Sequence, residues 1–159
     1  MTNATNEGVH CGVCKTIAGE EGRRAEVIFE NSLWHVRHGG APYGLPGWIL
    51  LMTKQHLPGP WAFPDAEAAS LGPTIRHLGQ TLLEVTGALR IYTAWMGESW
   101  PHFHAHFVPR YASMPKDAKA WGAFDLQRAA GAGEIQVDTN EVARLTALLR
   151  ERLAGSPPP

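Results

Sequence analysis

The stretch PHFHAHFVPR, Pro101 to Arg110, sets a histidine at every second position, His102, His104 and His106, with Phe103, Ala105 and Phe107 between them. A repeat of two is that of a β-strand, whose successive side chains leave on opposite faces. One face of this strand then carries three imidazoles. The other carries apolar side chains that belong in a core. A solvated polar face would explain the alternation, but not why all three residues are histidine. Residues two apart on a strand are separated by about 7 Å, and those four apart by about 13–14 Å. Zinc–nitrogen bonds are about 2.0–2.1 Å long, so one ion can bridge neighbours but hardly the whole row. The row is therefore expected to divide its labour, one imidazole holding a metal while another stays free. A neutral imidazole at pH 7 is a competent nucleophile and proton carrier.

The remaining chain supplies partners for such a strand. Ala25–Glu30 and Leu33–His38 have strand composition, and Asn31–Ser32 can turn them into a hairpin. Gly39–Gly47 is punctuated by Gly and Pro and reads as a loop. Trp48–Thr53 is a short continuous apolar run, which suits a strand covered on both faces. Leu71, Ile75, Leu78, Leu82, Val85 and Leu89 then recur at helical spacing. Asp65 is the expected N-cap of that helix, Pro73 the expected kink or restart, and Gly87 its expected end. Arg90–Met96 reads as a strand, a turn follows at Gly97–Ser99, and the histidine strand from His102 closes at Pro109. Residues 112–137 are rich in Gly and Ala with poor periodicity, so loop is expected, with a short element at Trp121–Leu126. Asp138 and Glu141 have capping-box spacing ahead of Val142, Leu145, Leu149 and Leu153, a second amphipathic helix. Strands, a long helix, two more strands and a last helix make an α+β domain with a mainly antiparallel sheet. The chain has 159 residues, which suits one domain, with 1–9 and 155–159 as flexible tails.

Charge narrows the partners. The formal net charge is −1, so no long-range field draws the chain to nucleic acid or to an anionic membrane. No apolar run approaches the roughly 18–20 residues of a membrane span. The first residues lack the basic and apolar regions of a secretory signal. A cytoplasmic location is expected. The two cysteines, Cys11 and Cys14, form a Cys-x-x-Cys pair, CGVC. In a reducing compartment that spacing suits a zinc knuckle or a redox dithiol better than a structural disulfide.

HFHAHFV, with Gly97–Ser99 before it and Pro109–Arg110 after it, resembles the signature of the histidine triad family of nucleotide hydrolases and transferases. The resemblance runs from Cys11 to about Arg110. It implies a histidine-triad-like fold: a five-stranded antiparallel sheet with one long helix, here followed by a C-terminal helix, usually paired as a homodimer. It also implies a mechanism. His104, the middle histidine, attacks the α-phosphorus of a nucleotide ester, amide or anhydride and forms a covalent nucleotidyl-histidine. Water or another acceptor then resolves it. Donors near Ser99 would hold the phosphoryl oxygens, and His106 would contact the phosphate or manage the leaving-group proton. A zinc-binding branch of the family implies that Cys11, Cys14, His56 and His102 hold a structural zinc ion. Dinucleoside polyphosphates and nucleoside phosphoramidates are the implied substrates; a zinc-stabilised nucleotide-binding protein with little turnover is the alternative. The chain departs from the family pattern at Glu98, where many members have glutamine, and at Gly47–Trp48, where many have Gly-His. It also has no carboxylate between Glu30 and Asp65 to hold a ribose, and no asparagine in the segment before the triad.

Overall fold

Asn31 closes the first hairpin: its side-chain oxygen accepts hydrogen bonds from the backbone N–H groups of Leu33 (2.9 Å) and Trp34 (2.7 Å). This is the local side-chain turn that asparagine makes readily. A computed structural model of the chain describes residues 10–20 and 26–159, so the expected tail at 1–9 and residue Ala25 lie outside the described residues. In chain order the elements are α1 (Gly12–Ala18), β1 (Val27–Glu30), β2 (Trp34–His38), β3 (Ile49–Thr53), a 3-10 turn (Pro60–Ala62), α2 (Asp65–Thr86), β4 (Arg90–Ala94), β5 (His104–Arg110), α3 (Gly122–Gly131) and α4 (Thr139–Gly155). The strands form one antiparallel sheet in the order β1-β2-β3-β5-β4. This is the α+β architecture that the sequence implies.

Register divides the sheet into two faces, because residues directly opposite one another project to the same side. Val36, Leu51 and Ala105 align across β2, β3 and β5, as do His38, Ile49 and Phe107. That face meets Leu78 and Leu82 of α2 and Leu149 and Leu153 of α4 in the main core. Fully burying each such side chain stabilises the fold by about 1.5–3 kcal/mol. On the opposite face His35, Met52 and His104 align, as do Arg37, Leu50 and His106. This second face is covered at one end by α1, where Cys11 and Val13 pack on Met52. Its other end is covered by α3, where Ala123 and Phe124 join Leu45, Trp48 and Val108.

Several expectations change in detail. β5 begins at His104, not His102, since His102 and Phe103 still belong to a bend in which the Phe103 N–H donates to the Leu57 carbonyl at 2.6 Å. Pro109 does not close the strand but pairs with Ile91 inside it. The β3 ladder has ended at Phe107 by then, and a residue without an N–H is tolerated where one side is free. Pro64, not Asp65, is the N-cap of α2, and the helix runs unbroken through Pro73. Ala69, the carbonyl that Pro73 cannot bond, is exposed and open to water. Gly87 does end α2, in a left-handed conformation at φ 64°, which leaves Leu89 beyond the helix and exposed. Asp138 caps α4 by accepting from the Asn140 N–H, while Glu141 pairs with Arg144 instead of completing a capping box. The short element expected at Trp121–Leu126 within the loop over 112–137 is the ten-residue α3, which runs on to Gly131. The end of the chain is tethered to α2: the Thr74 hydroxyl donates to the Pro159 carbonyl (3.2 Å), and His77 Nε2 donates to that of Ser156 (2.8 Å).

Candidate metal centre and active site

His102 lies in the bend ahead of β5, outside the strand that carries the other two rings. It is fully buried, and its Nε2–H donates to the Thr53 carbonyl at 2.8 Å. A carbonyl only accepts, so the lone pair of neutral His102 lies on Nδ1. Nδ1 faces the two thiols, 3.6 Å from Cys11 Sγ and 3.3 Å from Cys14 Sγ. His56, just past β3, brings its own Nδ1 to 3.3 Å from Cys14 Sγ. One ligand atom from each of Cys11, Cys14, His56 and His102 falls within a 4.8 Å span.

This set fits zinc. Bonds of about 2.3 Å to sulfur and 2.0–2.1 Å to nitrogen, tetrahedrally arranged, place ligand atoms about 3.3–3.8 Å apart. The Thr53 carbonyl supplies the outer hydrogen bond that orients a ligating imidazole. Burial, helped against the Thr53 bond by the charges of His56 and His104, pushes His102 down to about 4, so it is neutral at pH 7, as a ligand must be. Burial and the neighbouring Cys11 push the Cys14 thiol up to about 11. A redox dithiol needs a low-pKa thiol, so this counts against the redox alternative. The cysteines are free thiols, and a cation is what would make both of them thiolates.

His104 and His106 stand beside this centre on the same sheet face, ring centroids 5.4 Å apart. His104 Nδ1–H donates to the His102 carbonyl at 2.7 Å. Neutral His104 therefore carries its free lone pair on Nε2. His106 is held the other way: its Nδ1 accepts from the Trp48 indole N–H at 3.1 Å. Burial, with His104 adding to it, pushes His106 down to about 4. His106 and Trp48 line a hollow of about 280 Å³ with Gly39, Gly40, Ala41, Leu50 and Gln127. A larger hollow, about 410 Å³, lies behind Tyr111 and Met114 and touches none of the three histidines.

The loop between β2 and β3 is set by His38, which is buried. Its Nδ1–H donates to the Gly39 carbonyl (2.8 Å) and its Nε2 accepts from the Gly47 N–H (2.9 Å). Gly47 has φ 77°, and a Cβ there would meet the Tyr111 hydroxyl at 3.0 Å. Both constraints favour glycine and fix the entry of Trp48 into the sheet.

The structure thus brings Cys11, Cys14, His56 and His102 into one cluster and sets His104 and His106 next to it. Ser99 lies exposed in the β4–β5 connection and makes no hydrogen bond to these histidines among the described residues. His35 is buried and bonded to Glu30, and His10 is exposed. In the sequence Trp48 stands out as the start of an apolar run and as a departure from the family pattern, but not as a partner of His106, and Phe124, whose ring packs edge-on to both Trp48 and His106, does not stand out at all. The signal for Trp48 was present: positions 48, 50 and 52 share one strand face with the histidine row.

No family model and no curated protein matches the sequence. Solved structures do match. A zinc-bound histidine triad family protein from Mycobacterium smegmatis is 18% identical, with a TM-score of 0.65 over 94% of this chain and 99% of that one. A Hit-like protein involved in cell-cycle regulation from Bartonella henselae is 12% identical, with a TM-score of 0.61 over 89% and 95%. A hypothetical histidine triad nucleotide-binding protein from Sulfolobus tokodaii is 14% identical, with a TM-score of 0.61 over 88% and 92%. The chain has the fold of histidine triad proteins. Among these neighbours is one that holds zinc, and here four zinc-type ligands converge.

Proposed function

We propose that the protein is a histidine-triad nucleotide hydrolase or nucleotidyl transferase acting through a covalent nucleotidyl-His104. The observation that carries this is the His104 Nδ1–H bond to the His102 carbonyl, which leaves Nε2 free as the nucleophile. The Nε2 lone pair attacks the α-phosphorus, and the bond from phosphorus to the leaving oxygen or nitrogen breaks with its electron pair going to the leaving group. The imidazole becomes cationic, and its Nδ1–H bond to the carbonyl strengthens as it does. Water or another acceptor then attacks phosphorus, the P–N bond breaks, and His104 returns to its starting state.

His106 contacts a phosphoryl oxygen, and donors near Ser99 hold the phosphoryl oxygens as well. Cys11, Cys14, His56 and His102 hold a structural zinc ion, which when bound ties α1 to the segment that orients His104. Candidate substrates are dinucleoside polyphosphates and nucleoside phosphoramidates. The working form is taken as a cytoplasmic homodimer. β4, hydrogen-bonded on one side only, offers an edge for pairing, and no helix among the described residues is long and apolar enough to cross a membrane.

The test is release of nucleoside monophosphate from diadenosine polyphosphates and adenosine 5′-phosphoramidate by the zinc-loaded protein. His104→Ala is expected to lower kcat by at least about 1,000-fold while nucleotide still binds. Tight nucleotide binding with no release from any donor would instead favour the binding-protein alternative, to which Trp48 and Glu98 lend their support.

A further inference from the structure

We infer that Trp48 is a positioning residue: its indole fixes His106 in the Nε2–H tautomer, so that His106 meets a phosphoryl oxygen as a neutral hydrogen-bond donor and not as a titrating acid. This rests on the active-site reading above and assigns a role to a residue at which the chain departs from the family pattern.

An indole N–H can only donate. At 3.1 Å from His106 Nδ1 it requires a lone pair there, so the ring's one proton sits on Nε2. Protonating Nδ1 would break this bond and set two N–H groups against each other. Trp48 is buried and cannot turn away to accommodate it. Three rings interlock edge to face, with centroids 5.7 Å apart for Trp48–His106, 5.3 Å for Trp48–Phe124 and 5.6 Å for His106–Phe124.

Among the described residues, no carboxylate acts on the His106 ring to favour a cation. β3 presents Leu50, Trp48 sits just ahead of that strand, β4 presents Ala94, α3 presents Phe124 and Gln127, and the β2–β3 loop presents Gly39, Gly40 and Ala41. Among the described residues, the titratable neighbour that acts on it is His104, whose charge would repel another. The two rings are thus set in opposite senses by opposite partners. A carbonyl makes His104 offer an Nε2 lone pair, and an indole makes His106 offer an Nε2–H. One suits attack at phosphorus; the other suits an oxygen on that phosphorus. A neutral imidazole that gave up this proton would become an anion, so the proton needed by the leaving group comes from elsewhere.

Two-dimensional ¹H–¹⁵N correlation of histidine rings in the ¹⁵N-labelled, zinc-loaded full chain tests this without any substrate. His106 is expected to show a protonated Nε2 and a bare Nδ1 from pH 8 down to about 5.5, while Trp48→Phe gives a mixture of tautomers. A protonated Nδ1 in the wild type at pH 7, or an unchanged tautomer in Trp48→Phe, would overturn the inference. Turnover of adenosine 5′-phosphoramidate supplies the second readout. His106→Gln keeps a donor and should stay within about tenfold of wild type, while His106→Phe should lose about 100- to 1,000-fold. Equal, severe losses in both would mark His106 as a proton donor and sink the proposal. A wild type with no turnover but the stated tautomer would retire the enzymatic reading and leave the role of Trp48 standing.

Discussion

His102 and His104 use opposite nitrogens to the same end. His102 spends Nε2–H on the Thr53 carbonyl and turns Nδ1 to the thiols, whereas His104 spends Nδ1–H on the His102 carbonyl and keeps Nε2. Alternation in sequence puts these rings on neighbouring positions, but only the backbone decides which nitrogen each can offer. That is why the three candidates were legible from residues 102–106 and their tautomers were not. Burial lowers the pKa of His35, His38 and His106, the last to about 4. The sign follows directly. Between about pH 4 and the ordinary value near 6.5 the unfolded chain binds more protons than the folded one, so stability rises with pH through that window. Thermal melts should show Tm falling as pH drops from about 6.5 towards 4. A Tm that is flat or rises on acidification would contradict the buried, neutral state of these histidines.

Among elements, the β2–β3 loop shows what pattern can and cannot reveal. Gly and Pro announced a loop over Gly39–Gly47, yet its shape comes from His38 bridging Gly39 and Gly47, a contact invisible until β2 and β3 pair. His38→Ala leaves the Gly47 N–H buried without an acceptor, at a cost of about 1–3 kcal/mol. Urea unfolding should report this as a lower midpoint with an unchanged slope. An unchanged midpoint would mean that the loop is held otherwise. α2 and α4 were legible because their apolar stripes repeat at helical spacing, and Leu78, Leu82, Leu149 and Leu153 are indeed core. α3 was legible only as a short element at Trp121–Leu126, because its glycines lower helical preference and its apolar positions show poor periodicity. Its stability comes from packing Ala123 and Phe124 on the sheet, which is the usual source for a short helix.

For the whole molecule, the histidine face is framed at both ends, by the cysteine-bearing α1 and by α3. Zinc in the four-ligand cluster would tie the first frame to the strand that carries His104. The purified protein is expected to bind one zinc ion per chain, and Cys14→Ser to lose it. With free zinc about 1,000-fold above Kd, binding adds about 4 kcal/mol, or about 8–16 °C in Tm for a domain of this size. Chelation should remove that increment; a Tm indifferent to chelator would show that the cluster does not hold the ion. The fold class and the four-residue cluster could be set down from spacing and resemblance. The covering of His106 by Trp48 and Phe124 could not, since it joins residues 76 positions apart through tertiary packing alone.

The nucleotidyl group is expected on one atom, His104 Nε2. Rapid-quench peptide mass spectrometry of the zinc-loaded protein mixed with a diadenosine polyphosphate locates it. One adenylyl group on the peptide bearing His104, localised to that ring and absent from His104→Ala, is the predicted result. An adduct on His106 or another residue, or one that survives His104→Ala, would contradict it.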